Sequence, residues 1–206
     1  TKVNASHGKD ILPSTPVCAV SDVRNHQMEP MCVLGSDRTR AYVKIEDGCE
    51  NKCSYCAIPA ARGYVCSKSI DAVVREVEPL VRRGYREIVL TGIEVASWGN
   101  DLYDDVNLTD LLQAVDQIEG VERIRLGSIE PTFFRPARIA KLGALSHLTP
   151  HFHLSVQSGS AGVLRRMRRK YTPQMVLDMM EQLRREIPDV MFTTDMMAGF
   201  PGENEV

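Results

Sequence analysis

The sequence lacks any apolar run near the roughly 20 residues that a bilayer crossing needs, and no signal peptide opens it. A helical membrane protein is thereby disfavoured, and a cytoplasmic location is the expectation. It also lacks an excess of positive charge: 25 Lys and Arg face 27 Asp and Glu, a net charge of −2. No overall basic field advertises a nucleic-acid partner, so any such partner must be met by a local patch. Tandem repeats and low-complexity tracts are missing as well. With 206 residues, 43% hydrophobic and 25% charged, the chain has material for one globular domain and a real core, while two full domains would be a tight fit. It opens on Thr1 and stops after a stretch where a new element should begin, which reads as a piece of a longer protein.

Residues 1–40 are rich in Ser, Pro, Asn, Asp and His and read as a linker or the remnant of a preceding domain. From Ala41 to Val206, apolar runs of strand length alternate with amphipathic stretches of helix length, the signature of repeated β-α units around a parallel sheet. Strands are expected at 41–45, 87–91, 123–128, 151–156 and 190–198. Helices are expected at 70–83, 108–118 and 135–145, with a pair between Ser160 and Arg185. In the first helix Val73, Val74, Val77, Leu80 and Val81 recur every three to four positions, and Gly84 supplies a stop. The fold class is α/β: a partial TIM-type β/α barrel, incomplete after about five β-α units, since eight units typically need about 250 residues.

In such sheets function sits beyond the C-terminal ends of the strands. Gly48-Cys49 follows the first strand, Gly92-Ile93-Glu94 the second, Ser128-Ile129-Glu130 the third, Gln157-Ser158-Gly159-Ser160 the fourth and Gly199-Phe200-Pro201-Gly202-Glu203 the fifth.

Six cysteines would suit a disulfide framework in a small secreted domain, but Cys49, Cys53 and Cys56 crowd into eight positions, a metal-binding spacing in a cytosolic-looking chain. A short loop of this kind offers three thiolates to three irons of a four-iron four-sulfur (4Fe-4S) cluster and leaves the fourth iron open for a small ligand. Zinc is the alternative, yet it is usually held by two spaced ligand pairs, and only one compact trio exists here. His151 and His153 could donate in principle, from far along the chain. Tyr55 either shields the cluster or is an ordinary loop aromatic.

The trio after the first strand resembles the hallmark of radical S-adenosylmethionine (radical SAM) enzymes. The surrounding words narrow the likeness: Lys44-Ile45-Glu46-Asp47-Gly48-Cys49, Ala61-Arg62-Gly63, Glu87-Ile88-Val89-Leu90-Thr91-Gly92-Ile93, Arg125-Leu126-Gly127-Ser128-Ile129-Glu130, Val156-Gln157-Ser158-Gly159-Ser160, Met167-Arg168-Arg169-Lys170-Tyr171-Thr172 and the Gly199 to Glu203 stretch. In order, these are similar to the methylthiotransferases, most of all to the branch that modifies N6-threonylcarbamoyladenosine beside the tRNA anticodon. The resemblance spans residues 41–206.

That resemblance implies a transferase with a 4Fe-4S cluster on Cys49, Cys53 and Cys56 and S-adenosyl-L-methionine on the open iron. Its 5′-deoxyadenosyl radical would attack carbon 2 of the adenosine, where a methylthio group is installed. Thr91, Gly92 and Glu94 would lie beside the methionine amino group, Ser128 and Glu130 near the ribose or the amino group, and Gln157 and Ser158 on the sulfonium side. Gly199, Pro201 and Gly202 would let backbone approach the adenine. Within the basic run, Arg169 would pair with the cofactor carboxylate, while Arg165, Arg166, Arg168 and Lys170 would hold tRNA phosphates. An electron donor of flavodoxin or ferredoxin type is implied. The family also carries a second cluster in an N-terminal domain, whose cysteine pattern Cys18 and Cys32 do not form, and a C-terminal RNA-binding barrel; neither part is expected within these 206 residues. Cys66 reads as a loop cysteine. Other readings remain: a methylthiotransferase acting on a ribosomal protein or another radical SAM enzyme, and an iron–sulfur electron-transfer module, which would need a fourth ligand.

Overall fold

A computed structural model describes Met28, residues 39–102 and residues 105–204. The linker expected over residues 1–40 lies almost wholly outside the described residues, as do Cys18 and Cys32.

The chain runs β1 (Ala41–Lys44), β2 (Glu46–Asp47), α1 (Ile58–Arg62), β3 (Cys66–Ser67), α2 (Ile70–Arg82), β4 (Glu87–Thr91), α3 (Leu108–Asp116), β5 (Arg123–Leu126), α4 (Pro136–Gly143), β6 (His151–His153), α5 (Ala161–Arg166), α6 (Pro173–Glu186) and β7 (Met191–Thr193). Local chemistry accounts for the helix starts. The Ser69 side chain caps α2 by accepting from the Ala72 amide at 3.2 Å, and Asn107 with Asp110 forms a capping box at the start of α3. Gly84, at a φ of 97°, takes the left-handed turn that follows α2.

Strands β1, β4 and β5 pair in parallel, Ala41 opposite Ile88 and Ile88 opposite Ile124. A second parallel pair, β6 with β7, joins this sheet through single bridges between Ile124 and Leu148 and between Ile129 and Leu154. The result is the expected partial β/α barrel of five parallel strands. Two features were not anticipated: the antiparallel pair of β2 with β3 and the short helix α1, which frame the cysteine loop.

The later strands are shorter than expected. Pairing continues past β6 only as separate contacts, Leu154 N–H to Thr193 at 2.8 Å and Met197 N–H to Gln157 at 2.9 Å. Gln157, a partner in the second of these contacts, sits at a φ of 71°, a left-handed conformation that no regular strand accommodates.

Strand alternation divides the sheet into two unlike faces. Val43, Ile45, Ile88, Leu90, Ile124 and Leu126 are buried with Val73, Val77 and Leu80 of α2 and Leu111, Leu112 and Val115 of α3 in one core. Each such side chain contributes about 1.5–3 kcal/mol of burial. The opposite face is polar: Arg125 Nε donates to Glu87 Oε1 at 2.8 Å and its Nη1 lies 3.2 Å from His151 Nδ1. A closed eight-stranded barrel fills this face with branched apolar residues. Here charged side chains line it, so a single core on the helical side holds the strands and leaves their C-terminal ends free for a site. Among the described residues no helix is long and apolar enough to cross a membrane.

Candidate functional site

The cysteine loop leaves the sheet through Gly48, whose φ of 84° favours glycine. Space demands glycine too, because a Cβ there would fall 1.9 Å from the Tyr64 carbonyl oxygen. The Gly48 N–H donates to Asp47 Oδ1 at 2.8 Å, and Lys44 holds the other carboxylate oxygen at 2.5 Å. Burial works against ionised Asp47, but these donors and Arg62 outweigh it and hold its pKa below the ordinary value.

From there Cys49 is buried, while Cys53 and Cys56 are half-buried. Burial pushes the Cys49 thiol up to about 11, and the fields of Glu94, Cys53 and Cys56 act in the same direction. The three thiols therefore share one electrostatic neighbourhood, where metal binding must displace protons. The loop closes on a turn, Cys56 N–H to the Cys53 carbonyl at 3.2 Å.

Residues 166–171 clamp this loop. Ser54 donates from its hydroxyl to the Arg166 carbonyl at 2.8 Å and from its N–H to the Met167 carbonyl at 3.2 Å. Lys170 Nζ donates to Asn51 Oδ1 at 2.6 Å. Arg169 carries the centre of the arrangement: Nη1 donates to Cys53 Sγ at 3.1 Å, Nη2 to the Ser155 carbonyl at 2.8 Å, and Nε to the Tyr171 hydroxyl at 2.8 Å. Nη2 also lies 3.2 Å from Glu130 Oε1, with side-chain exposures of only 4% and 6% for the pair. A planar, permanently charged fork suits this convergence of acceptors.

Three buried carboxylates stand beyond β1, β4 and β5: Glu46, Glu94 and Glu130. Glu46 Oε1 accepts from the Glu94 N–H at 2.7 Å, while its Oε2 is buried with no partner among the described residues. Gly92 makes room for it, since a Cβ there would fall 1.9 Å from Glu46 Oε1. Glu130 Oε2 accepts from Thr132 Oγ1 at 3.0 Å and from Asn51 Nδ2 at 3.4 Å.

Burial, more than repulsion between neighbouring carboxylates, raises the pKa of Glu46 and of Glu94 to about 7. Both can exchange a proton near neutrality, and when ionised they suit an ammonium group. Between the ordinary carboxyl range and pH 7 the folded protein keeps protons that the unfolded chain has released, so stability falls as pH rises through that window. Each group costs at most about 3 kcal/mol above it. Glu46→Gln is expected to raise the thermal midpoint at pH 8 and leave it unchanged at pH 5. Equal effects at the two pH values in thermal unfolding would contradict the assignment.

The remaining candidates surround this centre unevenly. Thr91 ends β4, where its carbonyl accepts from the Ile45 N–H at 2.8 Å. Ser128 is exposed beside buried Glu130. Ser158 is buried, its Oγ accepting from the Ser160 N–H at 3.1 Å. Gly199 and Gly202 have φ of 73° and 79° on either side of exposed Pro201. Between them Phe200 meets the Tyr55 ring edge-on at 6.2 Å, which brings this last segment to the cysteine loop.

The basic run does not act as one surface. Arg165 and Arg168 are exposed, whereas Arg166 Nη2 donates to the Gly202 carbonyl at 2.7 Å and Lys170 is spent on Asn51. His151 and His153 both bond Thr193 Oγ1, at 3.1 and 3.0 Å, on the polar sheet face. Among the described residues no three His, Cys, Asp or Glu side chains are gathered about a single-ion site.

Sequence reasoning gave no role to Glu46, Asn51, Ser54, Ser155 or Tyr171. Glu46 alone carried a legible signal, a carboxylate two positions beyond Lys44 on the same strand face. The others act through contacts with residues some 80 to 120 positions away, or through backbone carbonyls.

A partial parallel β/α barrel with three thiols beyond its first strand, one of them held by a buried guanidinium, defines a class of iron–sulfur enzyme scaffold. The radical SAM superfamily matches residues 43–206. The threonylcarbamoyladenosine tRNA methylthiotransferase MtaB of Bacillus subtilis (strain 168) is 43% identical over 171 residues, covering 82% of this chain and 38% of that protein. A tRNA-2-methylthio-N(6)-dimethylallyladenosine synthase of Thermoanaerobacter sp. (strain X514) is 38% identical over 186 residues, covering 90% and 39%. Among solved structures, the radical S-adenosylmethionine methyltransferase TsrM from Kitasatospora setae matches with a TM-score of 0.63 at 18% identity, covering 79% of this chain and 31% of that one. The chain belongs to the radical SAM superfamily and, within it, to the methylthiotransferases. It spans about two fifths of the length of the curated relatives it matches.

Membership of the superfamily implies a 4Fe-4S cluster and S-adenosylmethionine, and the residues present fit both. Three free thiols share one loop with a cationic donor on one sulfur, and an unpaired buried carboxylate oxygen stands beside a second buried carboxylate.

Proposed function

We propose that this chain is the catalytic core of a tRNA methylthiotransferase acting at carbon 2 of N6-threonylcarbamoyladenosine next to the anticodon. The observation that carries it is the coupling of Cys53 through Arg169 to Glu130, which ties the thiol loop to the carboxylates beyond the next strands. Identities of 43% and 41% to MtaB proteins, against 38% to 40% for the dimethylallyladenosine synthases, lean toward the threonylcarbamoyl branch.

In this reading Cys49, Cys53 and Cys56 would hold the cluster. Bound together, cluster and S-adenosylmethionine supply one-electron chemistry that opens an unactivated carbon–hydrogen bond. Glu94, with Thr91 and Gly92, receives the methionine ammonium. Ser128, Gln157 and Ser158 line the ribose and sulfonium side, and the backbone of Gly199, Pro201 and Gly202 approaches the adenine. Arg169 neutralises Glu130 and would pair with the cofactor carboxylate from beyond β6. The buried surround keeps water from the reacting atoms. Exposed Arg165 and Arg168 supply tRNA phosphate contacts; an electron donor, a cytoplasmic setting and a sulfur-handling second cluster outside this chain complete the proposal.

The chain, reconstituted anaerobically with iron and sulfide and reduced strongly, is expected to cleave S-adenosylmethionine slowly to 5′-deoxyadenosine. It is not expected to methylthiolate tRNA. A fully loaded cluster without cleavage overturns the enzyme reading. A methylthio product in digested tRNA overturns the assignment of sulfur handling to a separate part.

A further inference from the structure

Beyond β5 the chain passes Glu130 and a short turn at Pro131–Phe133 before entering α4. The wall it forms borders a cleft of about 610 Å³, lined among others by Asn51, Glu130, Phe133, Arg135, Arg138 and Lys170. Glu130 belongs both to this cleft and to the thiol site, because its other oxygen faces Arg169 at 3.2 Å. The cleft therefore opens directly off the proposed reaction centre.

Its charge is one-sided. Glu130 is offset by Arg169. Lys170 is bonded to an uncharged amide oxygen, so its charge is uncompensated. Arg135 is exposed and forms no ion pair among the described residues. Arg138 rests its guanidinium 5.0 Å from the Phe133 ring centroid and donates to the Phe133 carbonyl at 3.3 Å. The nearby carboxylate that could serve it, Asp110, is bonded by Lys141 at 2.9 Å and by the Asn107 N–H at 3.0 Å. Burial and the charge of Arg135 lower the pKa of Arg138, and the nearby charge of Asp110, itself bonded by Lys141, offsets them only in part.

The substrates named for the relatives differ at N6. A threonylcarbamoyl group ends in a free carboxylate, whereas a dimethylallyl group is uncharged and apolar. On the adenine ring, carbon 2 and the carbon bearing N6 flank the same nitrogen, so a reaction at carbon 2 forces the N6 substituent to lie beside the reaction centre. We propose that this cleft is the subsite for the N6 substituent, with Arg135 and Arg138 binding its carboxylate. A planar guanidinium matches a carboxylate in two-donor geometry. The same cations disfavour a dimethylallyl group, which would strip them of water without pairing them.

This inference rests on the function proposed above, and the test separates the two. In the full-length, cluster-reconstituted protein, affinities are compared for anticodon stem-loop RNAs of one sequence, carrying threonylcarbamoyl, dimethylallyl or unmodified adenosine. The wild type is expected to prefer the threonylcarbamoyl RNA. Arg135→Gln and Arg138→Gln each reduce the threonylcarbamoyl-to-unmodified affinity ratio about tenfold, as for loss of a charged hydrogen bond. Arg135→Lys and Arg138→Lys retain part of the preference. A ratio unchanged in both glutamine variants, or equal weakening toward all three RNAs, overturns the carboxylate subsite. A wild type that prefers the dimethylallyl RNA instead overturns the substrate reading itself.

Discussion

Alanine at Cys49, Cys53 or Cys56 is expected to abolish iron–sulfur binding, while alanine at Cys66, Cys18 or Cys32 leaves it intact. The trio comes from one loop between β2 and α1, and two thiolates cannot hold a cubane that expects three protein ligands. The loop is also built to one shape. Gly48 turns it where a side chain would strike Tyr64, and Ser54 and Asn51 anchor it to residues 166–170. Cys66, by contrast, lies in β3, opposite Asp47. Iron and sulfide content and the visible thiolate-to-iron absorption would be measured across the six single variants. Retention of cluster by Cys53→Ala together with its loss from Cys66→Ala would reverse the assignment.

Arg169→Met is expected to destabilise the fold by about 3–5 kcal/mol, the cost of removing one partner from a buried ion pair. Arg169 and Glu130 are 4% and 6% exposed, so the carboxylate left behind gains little help from water. Cleavage of S-adenosylmethionine should disappear with it, because Cys53, Ser155 and Glu130 lose their common donor. Two further variants isolate the cause. Arg169→Lys keeps the charge but not the fork and should recover stability only in part. Combining Arg169→Met with Glu130→Gln should cost less than Arg169→Met alone, since the orphaned charge is then gone. Urea unfolding of the four proteins provides the measurement; an Arg169→Met variant within about 1 kcal/mol of wild type would remove the ion pair from the account.

Much of the architecture was legible in the chain because its cause is local. The period of Val73, Val77 and Leu80 places α2 on the sheet, and the expected boundaries of β4 match the observed ones residue for residue. The cysteine spacing was legible for the same reason, since all three thiols fall within one loop. The lengths of β6 and β7 were not, because pairing past them is reduced to isolated contacts, the last at a left-handed Gln157 that residue type does not announce. The basic run shows the same limit from another side. Its composition says only that five cations are adjacent. The turn after α5, with Arg168 at a φ of 60°, is what sends Arg169 inward and leaves Arg168 exposed.

The sequence by itself determined the alternation of β and α units, the thiol trio and the strand ends on which a site could stand. These follow from periodicities and spacings within a few residues. Only the tertiary structure decided which charges meet. Glu46 reaches the amide of Glu94, Arg169 joins Cys53 to Glu130, and Arg135 and Arg138 face a cleft whose lining carboxylate, Glu130, is already paired with Arg169. Such pairings cross 30 to 120 positions of chain, and the energy of a buried charge depends on whether a partner and water are within reach, which only the folded arrangement fixes.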